Sequence, residues 1–145
     1  MPRATFKHRA MAAAAPDDVW HSLQTAETWA NIGPVEHITD PEVDSEGNLQ
    51  GFRWSTTVAS RRYPGTARVR VAEPATRMVL DLDAREVTGS LETQLEPNGD
   101  GTTIITVILE VVARGALSTV FFPVVSEAIS RGLPTQVDRF AASMG

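Results

Sequence analysis

Apolar residues recur at Leu117, Val120, Phe121, Val124, Val125, Ala128, Ile129, Leu133, Val137 and Phe140, the i, i+3, i+4, i+7 spacing of one helix face. Ser118, Thr119, Ser126, Glu127, Ser130, Arg131, Asp138 and Arg139 fill the opposite face. The spacing predicts a helix from Leu117 to about Ala142, preceded by the breaker Gly115. Pro134 removes an N–H and crowds the preceding turn, which costs about 3 kcal/mol unless packing compensates. A kink near Pro134 is expected there, with Pro123 marking a second bend or a start.

Before this helix the period changes to two. Ala4–Ala12 alternates, with Phe6, His8, Ala10 and Ala12 on one face and Thr5, Lys7, Arg9 and Met11 on the other. Pro16-Asp17-Asp18 opens a short helix carrying Val19, Trp20 and Leu23, because proline suits a first turn and aspartates complement its dipole. Thr25 or Thr28 caps a second short helix that ends at Gly33-Pro34. Val35–Val43 is a weak strand whose Pro41 suggests an edge. Gly51–Ala59 places Phe52, Trp54, Thr56 and Val58 together, and Ser60–Gly65 is expected to turn. Thr66–Ala72 turns Ala67, Val69 and Val71 inward; Arg77–Arg85 does the same with Met78, Leu80 and Leu82. Thr88–Glu96 aligns Leu91, Thr93 and Leu95. After the turn signal Asn98-Gly99-Asp100-Gly101, Thr102–Ala113 points Ile105, Val107, Leu109 and Val111 inward and Thr106 and Glu110 outward. Short turns make neighbouring strands antiparallel. The expectation is an α+β fold: a seven-stranded curved antiparallel sheet wrapped around the long C-terminal helix, with two short helices between strands 1 and 2.

Composition narrows the chemistry. A chain of 145 residues suits one domain, 1–145, with no repeat or linker. No cysteine means no disulfide, thiolate metal site or thiol nucleophile. A net charge of −5 and scattered arginines argue against nucleic acid. No apolar run is long enough to span a bilayer. Arg3, Lys7 and Arg9 before Ala10–Ala15 imitate a signal peptide, but the apolar run is too short, so a cytoplasmic protein is expected.

The stretch Ala15-Pro16-Asp17-Asp18-Val19-Trp20-x-x-Leu23, followed by Thr28-Trp29, resembles the "AP-x-x-VW-x-x-L…W" signature of the START-related SRPBCC superfamily, the birch-pollen-allergen-like helix-grip group. Asn98–Thr102 and Gly115-Ala116-Leu117 also look like features of that family. The sequence is most similar to its small bacterial members grouped as polyketide cyclase/dehydrase-like. The resemblance spans the whole chain and implies a cavity between the concave sheet and the long helix. It makes lining candidates of the inward residues Phe6, His8, Trp54, Thr56, Met78, Leu80, Leu91, Thr93, Val107, Leu109, Phe121, Val125 and Ile129. Such a cavity is expected to open near Tyr63 and the Phe121–Pro123 segment. The same residues also fit a filled core.

No catalytic motif is present, neither a phosphate-binding glycine loop, nor G-x-S-x-G, nor H-E-x-x-H. His8 and Tyr63 are the only candidates for moving a proton. An inward His8 fits a general acid or base, a ligand hydrogen bond, or a structural histidine. Glu42-x-Asp44-x-Glu46-Gly47 starts like a calcium loop, but Arg53 stands where a bidentate carboxylate is required. Arg68 and Arg70 face outward, as do Asp81 and Asp83, which predicts surface pairing. No metal or cofactor is called for. Three readings follow: binding or transport of a small hydrophobic ligand; a cyclase or aromatase acting on a ligand in the same cavity; or a protein-interaction domain using the region of Phe122, which the pattern places on the polar helix face.

Overall fold

The computed structural model describes residues 3–32, 36–58, 60–84, 87–113 and 118–144, with the side chains at 58, 61, 118–121, 124 and 125 outside the description. In order, the elements are β1 (Arg3–Ala12), α1 (Pro16–Leu23), a 3-10 helix (Ala26–Asn31), β2 (His37–Val43), β3 (Leu49–Val58), β4 (Arg61–Glu73), β5 (Arg77–Ala84), β6 (Val87–Pro97), β7 (Thr103–Ala113) and α2 (Ser118–Ser143). The strands form one curved antiparallel sheet in the order β1-β7-β6-β5-β4-β3-β2. The period-2 and period-3.6 patterns thus resolve into the expected sheet and C-terminal helix. Strands β2 to β7 pair with their sequence neighbours, and β1 closes on β7 from Arg3↔Val112 to Ala12↔Thr103.

Pro16 occupies the first turn of α1 with Asp17 and Asp18 beside it, and Val19 and Leu23 are buried. The Thr103 hydroxyl donates to the Ala14 carbonyl at 2.7 Å, and the Leu49 N–H donates to the Gln24 side chain at 3.0 Å. These bonds tie the short helices to β7 and β3. Trp29, fully buried, covers the joint and donates its indole N–H to the Leu23 carbonyl at 3.0 Å. Trp20, expected to share that packing, is only half-buried against the core.

Two departures from simple alternation have local causes. The segment expected to turn at Ser60–Gly65 is largely strand: Val58 pairs with Arg61, and Ser60 takes the turn with φ of 66°. Pro64 is tolerated because its partner Ser55 aims its carbonyl at the Glu36 N–H, 3.1 Å away, so this pair exchanges no bonds within the β3–β4 ladder. A register shift between Val69 and Val71 then moves Val71 opposite Val79, onto the outer face rather than the inner one. On β7, Thr106 keeps its outward register but is buried between Arg9 and Gln94 of the flanking strands. Edge strand β2 is irregular between Thr39 and Glu42, where Asp40 has φ of 50° and Pro41 follows.

Helix α2 runs unbroken through Pro123 and Pro134. Ser130 is exposed, so water can take the carbonyl that Pro134 leaves without a donor. Ile129, Leu133, Val137, Phe140 and Ala141 are buried on the sheet, whereas Ala128 is exposed. Phe122, expected on the polar face, is half-buried against the core. The expected start at Leu117, the breaker Gly115 with Ala116, and Gly33-Pro34 lie outside the described residues.

Candidate functional site

The concave face has two ends that differ in side-chain size. At one end the cross-strand rows Phe6–Leu109–Leu91–Leu80 and His8–Val107–Thr93–Met78 bring large side chains together. Met78, Leu80, Leu91, Thr93, Val107 and Leu109 have no exposed surface. At the other end stand the rows Trp54–Gly65–Ala84 and Val111–Gly89–Leu82. Gly89 and Ala84 leave space that large residues fill elsewhere.

That space is a cavity of about 60 Å³. Its wall consists of Trp54 and Thr56 from β3, Tyr63 from β4, Leu82 and Ala84 from β5, Val87, Thr88 and Gly89 from β6, Val111 from β7, and Ile129 from α2. Gly65 admits the Trp54 ring. A Cβ there would stand 2.5 Å from Trp54 Cζ2 and 2.6 Å from the Asp83 carbonyl oxygen. Gly89 is constrained by backbone, since a Cβ would lie 2.5 Å from the Glu110 carbonyl oxygen.

Thr56 and Ile129 also border a second space, a groove of about 150 Å³ edged by Glu36, Thr57, Ala128, Gly132, Leu133 and Gln136. The groove lies on the Gly132 side of Ile129, away from the Phe121–Pro123 segment where an opening was expected. A wider depression of about 500 Å³ lies on the outer face among His37, Arg53, Arg62 and Thr66. It is larger but open, and its Arg53 and Asp40 are exposed and 3.9 Å apart, so solvent screens what charge it offers. The apolar character of its wall, rather than volume, selects the inner cavity.

Of the sequence candidates, Trp54, Thr56 and Ile129 line the cavity, joined by Tyr63. Phe6, His8, Met78, Leu80, Leu91, Thr93, Val107 and Leu109 stand on the same concave face but not on the cavity wall. The side chains of Phe121 and Val125 are outside the description. Leu82 and Val111 were read as inward but not as lining residues, and Ala84, Val87, Thr88 and Gly89 were not singled out; a glycine inside the strand pattern at 89 was the available signal.

His8 is not the isolated inward imidazole that the strand pattern suggested. Its Nε2 lies 2.8 Å from Asp138 Oδ1 of α2, with the His8 side chain 27% exposed. The pair pins the second half of α2 to β1. Trp54 Nε1, Thr93 Oγ1 and Ser126 Oγ are buried without a hydrogen-bond partner.

The outer face carries exposed charge pairs. Arg70 Nε lies 2.8 Å from Asp81, and Arg68 reaches across Gly51 to Glu42 at 3.8 Å. Glu92 accepts from Arg77 Nε at 2.9 Å and from the Gln94 side chain at 2.7 Å. Those two bonds hold its carboxyl below the usual glutamate range, the Arg77 bond most strongly and against the opposing effect of burial. The Asp44 carboxylate is engaged by its own turn, accepting from the Glu46 and Asn48 N–H groups at 2.9 Å each. The described residues contain no His, Asp and Glu cluster able to hold a metal ion.

A curved antiparallel sheet, a C-terminal helix across its concave side and an apolar space between them define a helix-grip domain of the START type. The chain belongs to the family described as polyketide cyclase / dehydrase and lipid transport, whose model matches residues 3–145. No curated protein matches it in sequence. Among solved structures, a START superfamily protein from Mycobacterium smegmatis has 13% identity and a TM-score of 0.65, covering 92% of this chain and 96% of that one. The Zhui aromatase/cyclase from Streptomyces sp. R1128 has 20% identity and a TM-score of 0.63, covering 99% of each chain. Norcoclaurine synthase from Thalictrum flavum, in a truncated form, has 14% identity and a TM-score of 0.59, covering 94% and 91%. At these identities the likeness is one of fold. Among the described residues no helix is long and apolar enough to cross a membrane.

Proposed function

We propose that this protein binds a small, neutral, hydrophobic ligand, aromatic or lipid-like, between the sheet and α2, and does so without turning it over. The observation that carries this reading is the apolar wall formed by Trp54, Leu82, Ala84, Val87, Val111 and Ile129. At about 60 Å³ the cavity is smaller than the roughly 150 Å³ that holds benzene in a dry engineered site. A ligand therefore also takes the groove beyond Ile129, and a rotation of that side chain joins the two spaces. Burying about 200 Å² of ligand supplies on the order of 5 kcal/mol before association costs, which sets affinity at micromolar or weaker.

The family includes cyclases and dehydrases, so an enzyme acting in the same cavity is the alternative reading. The His8–Asp138 pair has the composition of an acid/base dyad, but it stands off the cavity wall and near solvent. Tyr63 supplies a hydroxyl on the wall, and the described residues that line the wall with it include no carboxylate or imidazole. The half-buried Phe122 removes the feature that favoured a protein partner.

The test is titration with N-phenyl-1-naphthylamine, an apolar fluorescent probe, on wild type and Ala84→Leu. The larger side chain projects into the cavity, and probe affinity is expected to fall at least about tenfold while the domain stays folded, the cost of displacing one or two methylene contacts. Equal affinity in both proteins moves the ligand elsewhere. Conversion of a polyketide-like substrate by wild type, lost in Tyr63→Phe, favours the enzyme.

A further inference from the structure

Strand β1 is one edge of the sheet, and it is the regular one. Its ten residues keep one register against β7 from Arg3↔Val112 to Ala12↔Thr103, whereas the other edge, β2, is irregular and carries Pro41. Where β6 meets β7 the Asn98 N–H donates to the Thr102 carbonyl at 3.0 Å, so the even-numbered residues of β7 bond to β6. Its odd-numbered residues bond instead to Ala4, Phe6, His8, Ala10 and Ala12 of β1. Arg3, Thr5, Lys7, Arg9 and Met11 therefore aim their N–H and C=O groups away from the sheet, and all five are exposed on its outer side. Among the described residues none of Arg3, Lys7 and Arg9 takes part in an ion pair, although the chain as a whole has a net charge of −5.

We propose that β1 docks an extended acidic segment of a partner protein, which adds to the sheet as a further strand. Acidic side chains at alternate positions of that segment stand directly opposite Lys7 and Arg9, and the small apolar residues between them face the half-buried Phe6 and Ala10. Lysine and arginine on an exposed edge ward off other strands, but that protection has a sign. Antiparallel pairing with β1 of a second copy, centred on Lys7, sets Lys7 against Lys7, so like charges meet. An acidic strand meets attraction at the same positions. Glu110 lies behind Thr5 on β7, which centres the attraction on Lys7 and Arg9. An anionic membrane meets the same charges, but Met11 is the one large apolar side chain exposed along β1, and lipid leaves the free backbone groups unpaired. The surface lies on the outer side of the sheet and does not depend on the cavity.

The probe is a fluorescein-labelled peptide, Thr-Glu-Val-Glu-Val-Glu-Thr, followed by anisotropy at low salt on wild type and on Lys7→Glu/Arg9→Glu. Arg68→Glu/Arg70→Glu makes the same change of net charge four strands away. Affinity is expected to fall about tenfold or more in the first variant, where attractive cross-strand pairs become repulsive, and less than about threefold in the second. The backbone is tested separately. Thr5→Pro removes one free N–H and leaves the ladder to β7 whole, with an expected loss of about 3- to 10-fold, the net worth of one hydrogen bond. A peptide N-methylated at its glutamates keeps every charge and loses the N–H groups that face β1; it is expected to bind wild type at least as weakly, and it carries the backbone test if Thr5→Pro does not fold. Equal affinity for the methylated peptide, or equal loss in both charge variants, overturns strand addition and leaves attraction of charge alone. No peptide binding overturns it as well; flotation with vesicles of phosphatidylcholine and phosphatidylglycerol then gives the basic row to a membrane, and a sedimenting dimer gives it to a second copy.

Discussion

Replacing Trp29 by alanine tests whether the short helices are docked as the structure has them. Trp29 is fully buried, and a tryptophan buries up to about 250 Å², on the order of 6 kcal/mol at 25 cal/mol per Å² as an upper bound. The residual alanine methyl and partial collapse bring the expected loss to about 3–5 kcal/mol. Part of this is polar. Leu23 ends α1, where carbonyls lack intrahelical donors, and Trp29 Nε1 supplies one at 3.0 Å. Trp29→Phe isolates that part, leaving a buried carbonyl unsatisfied for about 1–3 kcal/mol. Trp20→Ala, at a half-buried site, should cost about half as much as Trp29→Ala. Urea unfolding followed by circular dichroism reads all three as shifts in midpoint at constant slope. A Trp20→Ala loss equal to or above that of Trp29→Ala, or a neutral Trp29→Phe, would refute the packing described here.

Glu92→Gln should destabilise the protein above about pH 5, because the carboxyl is depressed in the fold and its stabilisation is present above the ordinary value of 4.5. As pH falls below that value through the folded one, the stabilisation is lost, and melting curves of variant and wild type should converge. Gly132→Ala should add about 0.5–1 kcal/mol, since the nearest atom to a new Cβ is 4.0 Å away and alanine favours a helix. Gly89→Ala should cost about 1–3 kcal/mol, because its Cβ meets a backbone oxygen; chemical unfolding measures both. His8→Ala should change stability by at most about 1 kcal/mol, as an exposed pair does, and leave probe affinity unaltered; a tenfold loss of affinity would place His8 at the ligand.

The fold was legible because each strand keeps one face apolar, so the alternation names the concave side without reference to pairing partners. It misled where backbone geometry overrides alternation. A bulge at Arg70 sends Val71 outward, and Pro64-Gly65, which reads as a turn, sits in a strand because Ser55 faces β2. The cavity was harder to read. Period identifies a face but not whether its residues meet or leave a gap. Met78, Leu80, Leu91 and Thr93 share the inward pattern of Trp54 and Thr56, yet they close the core. The gap comes from Ala84 and Gly89, residues defined by atoms they lack, which give no hydrophobic signal, whereas the space over Gly65 is taken by the Trp54 ring. The Asp138 partner of His8 was hidden for another reason, being 130 residues away on a face that reads as solvated.

The gap is not forced by the fold at every position. Gly65 and Gly89 are held small by contacts at 2.5–2.6 Å, but Ala84 faces free volume on the cavity wall. Filling about 60 Å³ between apolar side chains is worth up to roughly 1–2 kcal/mol at about 24 cal/mol per Å³. Ala84→Leu should recover part of that, so the variant expected to lose the probe is also expected to melt higher. Gain of stability with loss of binding is the pattern of a site kept open at the expense of packing. If Ala84→Leu instead melts lower and binds as before, the void is too shallow to accept a side chain, and the ligand must sit in the Gly132 groove alone.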